Sequence, residues 1–113
     1  PKVGKVYWCG FEDHPNYAIA RKQMRDFGGM LSFELKDDSI EAAKKVLSST
    51  KLFSLAESLG GVESLINHPA SMTHASIPRE KRIANGLSDT LIRLSIGVED
   101  ADDLIHDLDN ALA

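Results

Sequence analysis

One arginine set among large aliphatic residues is the position most able to do chemistry in this chain. In Leu91-Ile92-Arg93-Leu94-Ser95-Ile96 the alternation predicts a strand, with Ile92, Leu94 and Ile96 on one face and Leu91, Arg93 and Ser95 on the other. A guanidinium in mid-strand between such neighbours is costly unless it meets an anion. Its planar, permanently charged fork matches a carboxylate through two parallel hydrogen bonds. A strand would hold it rigidly, as orienting a reacting amino acid requires. Two kinds of partner stay open: an anionic ligand, or one of the chain's own 17 acids in a structural ion pair.

Two further segments carry polar groups at places where a ligand could be met. Glu57-Ser58-Leu59-Gly60-Gly61 follows a predicted strand, Leu52 to Leu55, with polar and then conformationally free residues. That composition suits a turn whose backbone approaches a ligand closely, and it equally suits a plain turn. Met72-Thr73-His74-Ala75-Ser76 lies in a loop bracketed by Pro69 and Pro78, where Thr73 offers a hydroxyl either to a ligand or to the loop itself. His14, His68 and His106 lack mutual ligand spacing, and His68 with His74 fits no standard zinc pattern, so no metal is expected. Cys9 is the only cysteine. It has no partner for an internal disulfide or a redox pair, and a reducing cytoplasm is the simplest home.

The elements that must position these residues alternate short strands with short helices. Lys5 to Trp8 is a strand, and His14-Pro15-Asn16 opens a helix to about Asp26 that Gly28-Gly29 ends. Met30 to Leu35 alternates as a half-buried strand. Asp37-Asp38-Ser39 caps a helix whose buried side is Ile40, Ala43, Val46 and Leu47. Glu63 to Ile66 reads as another short strand, and Arg79 to Asn85 as a short helix stopped by Gly86. Asp100 caps the last helix, with Asp102 and Asp103 in its first turn and a stripe of Ala101, Leu104, Ile105, Leu108, Ala111 and Leu112. The expected architecture is an α+β two-layer sandwich, a mostly antiparallel sheet covered by helices.

At 113 residues the chain is one domain, and 42% apolar residues exclude a disordered segment. No apolar run approaches the roughly 20 residues needed to span a bilayer, so no membrane partner is expected. The first residue is Pro1 rather than Met, which suggests processing, truncation or a fragment. With a net charge of −4 and scattered bases, nucleic acid is excluded as a partner. Arg21, Lys22 and Arg25 beside Asp26, and Arg79, Lys81 and Arg82 beside Glu80, read as solvated helix faces.

Taken together, Glu57-Ser58-Leu59-Gly60-Gly61-Val62-Glu63-Ser64-Leu65, Met72-Thr73-His74-Ala75-Ser76 and Leu91-Ile92-Arg93-Leu94-Ser95 resemble a known family. It is the C-terminal domain of the pyridoxal-phosphate (PLP) enzymes of cysteine and methionine metabolism, nearest to cystathionine γ-lyase and cystathionine γ-synthase. The resemblance runs from about Phe27 to the end. It implies the small C-terminal domain of a fold-type-I PLP enzyme, in which Arg93 binds the substrate α-carboxylate and Ser58 with its neighbour Leu59 helps to hold it. Glu57 would sit where the distal part of cystathionine lies, a place where methionine γ-lyases and cystathionine β-lyases generally lack an acid. Thr73 would belong to the loop near the substrate pocket, and His74 would be structural.

The same resemblance implies that the PLP lysine, and most of the cofactor's anchors, lie in a larger upstream domain outside this chain. No catalytic residue is then expected here. Ser48-Ser49-Thr50-Lys51 imitates the family's Ser-x-Thr-Lys, but it falls at a helix end directly before a strand, so Lys51 reads as a surface residue. The implied partners are an amino-acid substrate, the upstream domain and further copies in a homotetramer. The implied activity is γ-elimination of cystathionine to cysteine, with γ-replacement of an acyl-homoserine by cysteine as the alternative. From a different class, a free-standing module that binds an amino acid without catalysis fits the same pattern.

Overall fold

The computed structural model describes residues 2–113. Nine elements follow one another: β1 (Val3–Tyr7), α1 (Tyr17–Gln23), β2 (Met30–Leu35), α2 (Ile40–Ser49), β3 (Ser54–Leu55), β4 (Leu65–Asn67), α3 (Arg79–Ala84), β5 (Ile92–Ser95) and α4 (Ala101–Ala111). The strands form one sheet in the order β1-β2-β5-β4-β3. Every pairing is antiparallel except that of β3 with β4, so the expected α+β sandwich with a mostly antiparallel sheet is what the chain adopts.

Alternation along the strands separates two faces. Phe33 and Leu35 of β2, Ile66 of β4, and Ile92 and Leu94 of β5 point into one core. Ala43, Val46 and Leu47 of α2 and Leu104 and Ala111 of α4 close that core from above. Both helices begin where capping chemistry dictates. Ser39 Oγ accepts from the Ala42 N–H at 3.3 Å, and Asp100 Oδ1 accepts from Asp102 and Asp103 at 2.9 and 3.3 Å. Ile92 is fully buried and Leu94 only 1% exposed, so β5 is the centre of the sheet in packing as well as in order.

Several expected boundaries move, each for a local reason. The first helix stops at Gln23, because Met24 is already extended. Gly28, with φ of 79°, therefore turns the chain between helix and strand instead of capping the helix. Phe27, freed from the helix, stacks on Tyr17 with centroids 5.5 Å apart and meets the edge of Trp8 at 5.7 Å. The strand expected over Leu52 to Leu55 keeps only Ser54–Leu55. Its first residues are taken by the Asp107 carboxylate, which accepts from the N–H groups of Lys51, Leu52 and Phe53 at 2.8, 2.9 and 3.2 Å. The next strand slides to Leu65–Asn67, because Ser64 is held by contacts of its own.

Candidate functional site

On the face turned away from α2 and α4, the strand registers line up four polar side chains. Tyr7 stands opposite Ser32, Ser32 opposite Arg93, and Arg93 opposite Asn67. Directly opposed residues of antiparallel strands have Cβ atoms about 4.5–5.5 Å apart, so this is one continuous polar row across β1, β2, β5 and β4. Beside it lies a depression of about 300 Å3 lined by Tyr7, Trp8, Cys9, His14, Ser32 and Arg93, among others. Tyr7 donates its hydroxyl to Glu34 Oε1 at 3.0 Å; burial first, and then the Glu34 carboxylate, push its phenol up in pKa and keep it protonated.

Arg93 is half-buried in the middle of the row. Its Nη2 donates to the carbonyl oxygens of Glu57 at 3.4 Å and Ser58 at 3.2 Å. Its Nε is buried without any partner. Among the described residues the one ion pair joins Arg79 Nε to Asp89 Oδ2 at 2.7 Å, and no carboxylate pairs with Arg93. The structural ion pair that the sequence left open is thus not formed. Asn67, its neighbour across the strands, donates Nδ2 to the Ala56 carbonyl at 3.3 Å, and its Oδ1 is also buried without a partner. Buried polar atoms in folded proteins almost always have partners. Here a donor and an acceptor without partners sit on neighbouring strands of the same face, where an amino-acid ligand could satisfy them.

The segment carrying Glu57 and Ser58 joins β3 to β4 and folds back over this face. Gly60, with φ of 77°, takes a conformation that a side chain would strain, and its N–H donates to Ser95 Oγ at 2.8 Å. Val98 N–H donates to the Val62 carbonyl at 2.9 Å. Ser64 donates its N–H to Glu99 Oε2 at 2.9 Å and its hydroxyl to Glu99 Oε1 at 2.7 Å, while its Oγ accepts from Gly97 N–H at 2.8 Å. A Cβ at Gly97 would overlap the Val62 carbonyl and the Glu63 backbone, so glycine is required for this close approach. The Ser64 N–H, then the Ser64 hydroxyl, hold the Glu99 carboxyl below its ordinary pKa. Glu57, Ser58 and Leu59 are all exposed, Leu59 by 54%.

The second loop attaches to the same row from the other side. Met72 Sδ accepts from His68 N–H at 3.4 Å and lies 3.8 Å from Asn67 Nδ2. Thr73 Oγ1 meets His74 Nδ1 at 2.8 Å, so the hydroxyl serves its own loop and is not joined to Arg93. His68 is fully buried, with Nε2 2.6 Å from the Asp89 carbonyl and Nδ1 2.6 Å from Ser71 Oγ. A carbonyl oxygen only accepts, so Nε2 carries the proton. Arg79 and Lys81 are exposed, as expected of a solvated helix face, yet Arg79 also pairs with Asp89, and Arg82, half-buried, donates to the carbonyls of Ile77 and His74. Sequence reasoning missed Tyr7, Ser32, Asn67 and Glu99, and it placed Ser95 on the Arg93 face without its contact to Gly60. These contacts depend on cross-strand register or a distant loop, and neither shows in local spacing.

Nothing in the described residues builds a cradle for a phosphorylated cofactor. Lys51, in the one Ser-x-Thr-Lys segment, is exposed and its backbone N–H is bound to Asp107 of α4. It belongs to the helical layer, across the sheet from Arg93. The described residues therefore fit the holding of an amino acid and do not fit the anchoring of PLP. Among the described residues no three metal-ligating side chains gather, and no helix is long and apolar enough to cross a membrane.

Comparison with known proteins agrees on one family. The family described as "Cys/Met metabolism PLP-dependent enzyme" matches residues 1–113. A cystathionine β-lyase of Coxiella burnetii is 60% identical over 112 residues, which cover 99% of this chain and 29% of that protein. An L-methionine γ-lyase of Fusobacterium nucleatum subsp. nucleatum is 55% identical over 99% of this chain and 28% of its own length. The crystal structure of cystathionine γ-synthase from Xanthomonas oryzae pv. oryzae in complex with cystathionine superposes with a TM-score of 0.90 at 51% identity. That match covers 98% of this chain and 28% of the other. The chain thus spans less than a third of the length of these relatives.

Proposed function

Because the chain belongs to the PLP-dependent enzymes of Cys/Met metabolism, we propose that it is the C-terminal, substrate-carboxylate-holding part of an enzyme that cleaves cystathionine by γ-elimination to cysteine. The observation that carries this reading is Arg93. It is a half-buried guanidinium with no carboxylate of its own and a buried, unpartnered Nε, aimed at the face where Ser58 and Glu57 are held. An α-carboxylate supplies the missing anion. PLP, where it is bound, acts as the electron sink for the chemistry at Cα and Cβ. The residues of this chain supply orientation. Fixing the carboxylate on Arg93 and the Ser58 segment would set the orientation of the substrate at Cα, and such positioning is worth several kcal/mol of barrier.

Glu57 supports cystathionine as the substrate. It is exposed at the mouth of the face, next to a residue whose carbonyl Arg93 engages, and an acid there can meet the ammonium at the far end of a long diamino acid. Thr73 and Leu59 complete the proposed substrate contacts, although neither lines the depression beside Arg93 and the Thr73 hydroxyl is held by His74. The large upstream domain and a homotetrameric assembly complete the proposed enzyme, and the cytoplasm is its proposed location. Cystathionine γ-synthase is the second reading, favoured by the 51% identity to a synthase that holds cystathionine. Membership of an enzyme family weighs against a free-standing regulatory module.

The test is Arg93→Ala in the full-length enzyme. PLP should stay bound, and kcat/KM should fall by the equivalent of about 2–5 kcal/mol, the scale of removing one member of a hydrogen-bonded charge pair. Arg93→Lys should recover only part of this, since an ammonium cannot form the fork. Near-normal kcat/KM in Arg93→Ala would refute the assignment. Product analysis with cystathionine, against an acyl-homoserine plus cysteine, separates lyase from synthase.

A further inference from the structure

We propose that Glu99 is a positioning residue for the carboxylate site, holding the Glu57–Ser58 segment over Arg93 through Ser64. The inference rests on the reading of Arg93 and Ser58 given above. Its starting point is the way the connection between β3 and β4 is tied down. Apart from the Ser54 N–H, which donates to the Ser64 carbonyl at 3.0 Å, the hydrogen bonds of residues 57–64 lead to the stretch 93–99: Arg93 to Glu57 and Ser58, Ser95 to Gly60, Val98 to Val62, and Gly97 and Glu99 to Ser64. The site is a loop laid along one strand and its extension, and Glu99 closes the far end.

That end matters most, for three reasons. Ser64 is fully buried, so its N–H and hydroxyl need acceptors inside the protein, and Glu99 provides both through its two carboxylate oxygens. Hydrogen bonds to an ionised carboxylate are stronger than the neutral contacts that hold Gly60 and Val62. Ser64 also directly precedes β4, whose Asn67 stands opposite Arg93, so a shift at Ser64 reaches the site both through the loop and along the strand. Without Glu99, two buried donors lose their acceptor and water must enter beneath the loop. The carbonyls of Glu57 and Ser58 then leave Nη2 of Arg93, and the guanidinium is no longer aimed. Glu99 touches neither substrate nor cofactor in this scheme.

The experiment uses the full-length holoenzyme and compares Glu99→Ala, Glu99→Gln and Arg93→Ala. Each is assayed for cystathionine turnover and for inhibition by L-alanine and by ethylamine, which is alanine without its carboxylate. Glu99→Ala should raise KM for cystathionine and Ki for L-alanine about tenfold or more, the scale of a misplaced binding group. Ki for ethylamine, cofactor absorbance and, to a lesser degree, kcat should hold. Glu99→Gln keeps one acceptor for Ser64 and should fall between, and Glu99→Ala added to Arg93→Ala should cost nothing further. Should Glu99→Ala fail to fold, Glu99→Gln and Ser64→Ala carry the same comparison. Equal losses for L-alanine and ethylamine, or unchanged L-alanine binding in a background where Arg93→Ala is impaired, would overturn the role of Glu99 alone. Unchanged L-alanine binding in Arg93→Ala would overturn the reading of the site, and the role of Glu99 with it.

Discussion

Asp107 is the acid whose removal should cost the fold most. It is 6% exposed on α4, and its carboxylate accepts three consecutive backbone N–H groups from the turn between α2 and β3. A hydrogen bond to a charged group contributes about 1.5–3 kcal/mol, so three independent ones would total roughly 5–9 kcal/mol. They are not equivalent. Lys51 and Leu52 are exposed, and water can replace the acid at their amides, whereas Phe53 is 2% exposed and its amide has no such recourse. The expectation is therefore a loss of about 2–4 kcal/mol for Asp107→Ala and about 1–2 kcal/mol for Asp107→Asn, which keeps one acceptor oxygen. Urea unfolding of the chain, followed by far-ultraviolet circular dichroism, measures both.

The pH dependence supplies an independent check on the same residue. Burial pushes the Asp107 carboxyl up in pKa, but the N–H groups of Lys51, Leu52 and Phe53 and the Lys51 charge more than offset this, leaving it lowered. A carboxyl lowered on folding adds stability that is fully present above its unfolded pKa of about 3.9 and is lost as pH falls through the folded value. The gap between the native chain and Asp107→Asn should hold constant from neutral pH down to about pH 5 and narrow below about pH 4. A gap unchanged down to pH 3, or no gap at pH 7, would show that the three N–H contacts do not carry the turn.

Three further outcomes follow from the geometry. Glu57→Val should leave the fold intact and lower the kcat/KM ratio of cystathionine to methionine about two- to fivefold, the scale of an exposed ion pair; an unchanged ratio would remove Glu57 from substrate selection. Gly97→Ala forces a Cβ into the Val62 carbonyl and should cost about 1–3 kcal/mol, read as a fall in Tm, and an unchanged Tm would contradict the close approach. The 113-residue chain titrated with PLP should develop no yellow absorbance, and if it does, loss of the colour in Lys51→Ala would bring the Ser-x-Thr-Lys segment back into the site.

What could be read in advance divides along a physical line. β2 and the start of α2 were legible because period-two alternation and a Ser39 cap are local signals. Arg93 was legible because a charge between aliphatic neighbours is anomalous within six residues of sequence. Ser58 was found through family resemblance, and what the structure adds is that its carbonyl meets Arg93. Asn67 and Tyr7 were illegible because only strand register puts them in one row with Arg93, and register is a property of pairs of strands. Glu99 and Asp107 looked like two more of many acids in and before a solvated helix. Their roles depend on backbone N–H groups 35 or more positions away in the chain.

The strand order has a consequence for how the chain assembles itself. β1 and β2 make one antiparallel pair, β3 and β4 make a separate parallel pair, and β5, which follows all four in the sequence, lies between the two. Until β5 arrives, each pair presents an open edge and has no backbone partner on the other side. Joining them closes long chain loops at once, the kind of late, non-local step that slows folding. Arg93 rides on that strand and meets residues from both pairs, Ser32 on one side and Asn67 on the other. The β1–β2 pair can set Tyr7 opposite Ser32 by itself, but the guanidinium joins the row, and Ser32 and Asn67 are linked through it, only when β5 completes the sheet.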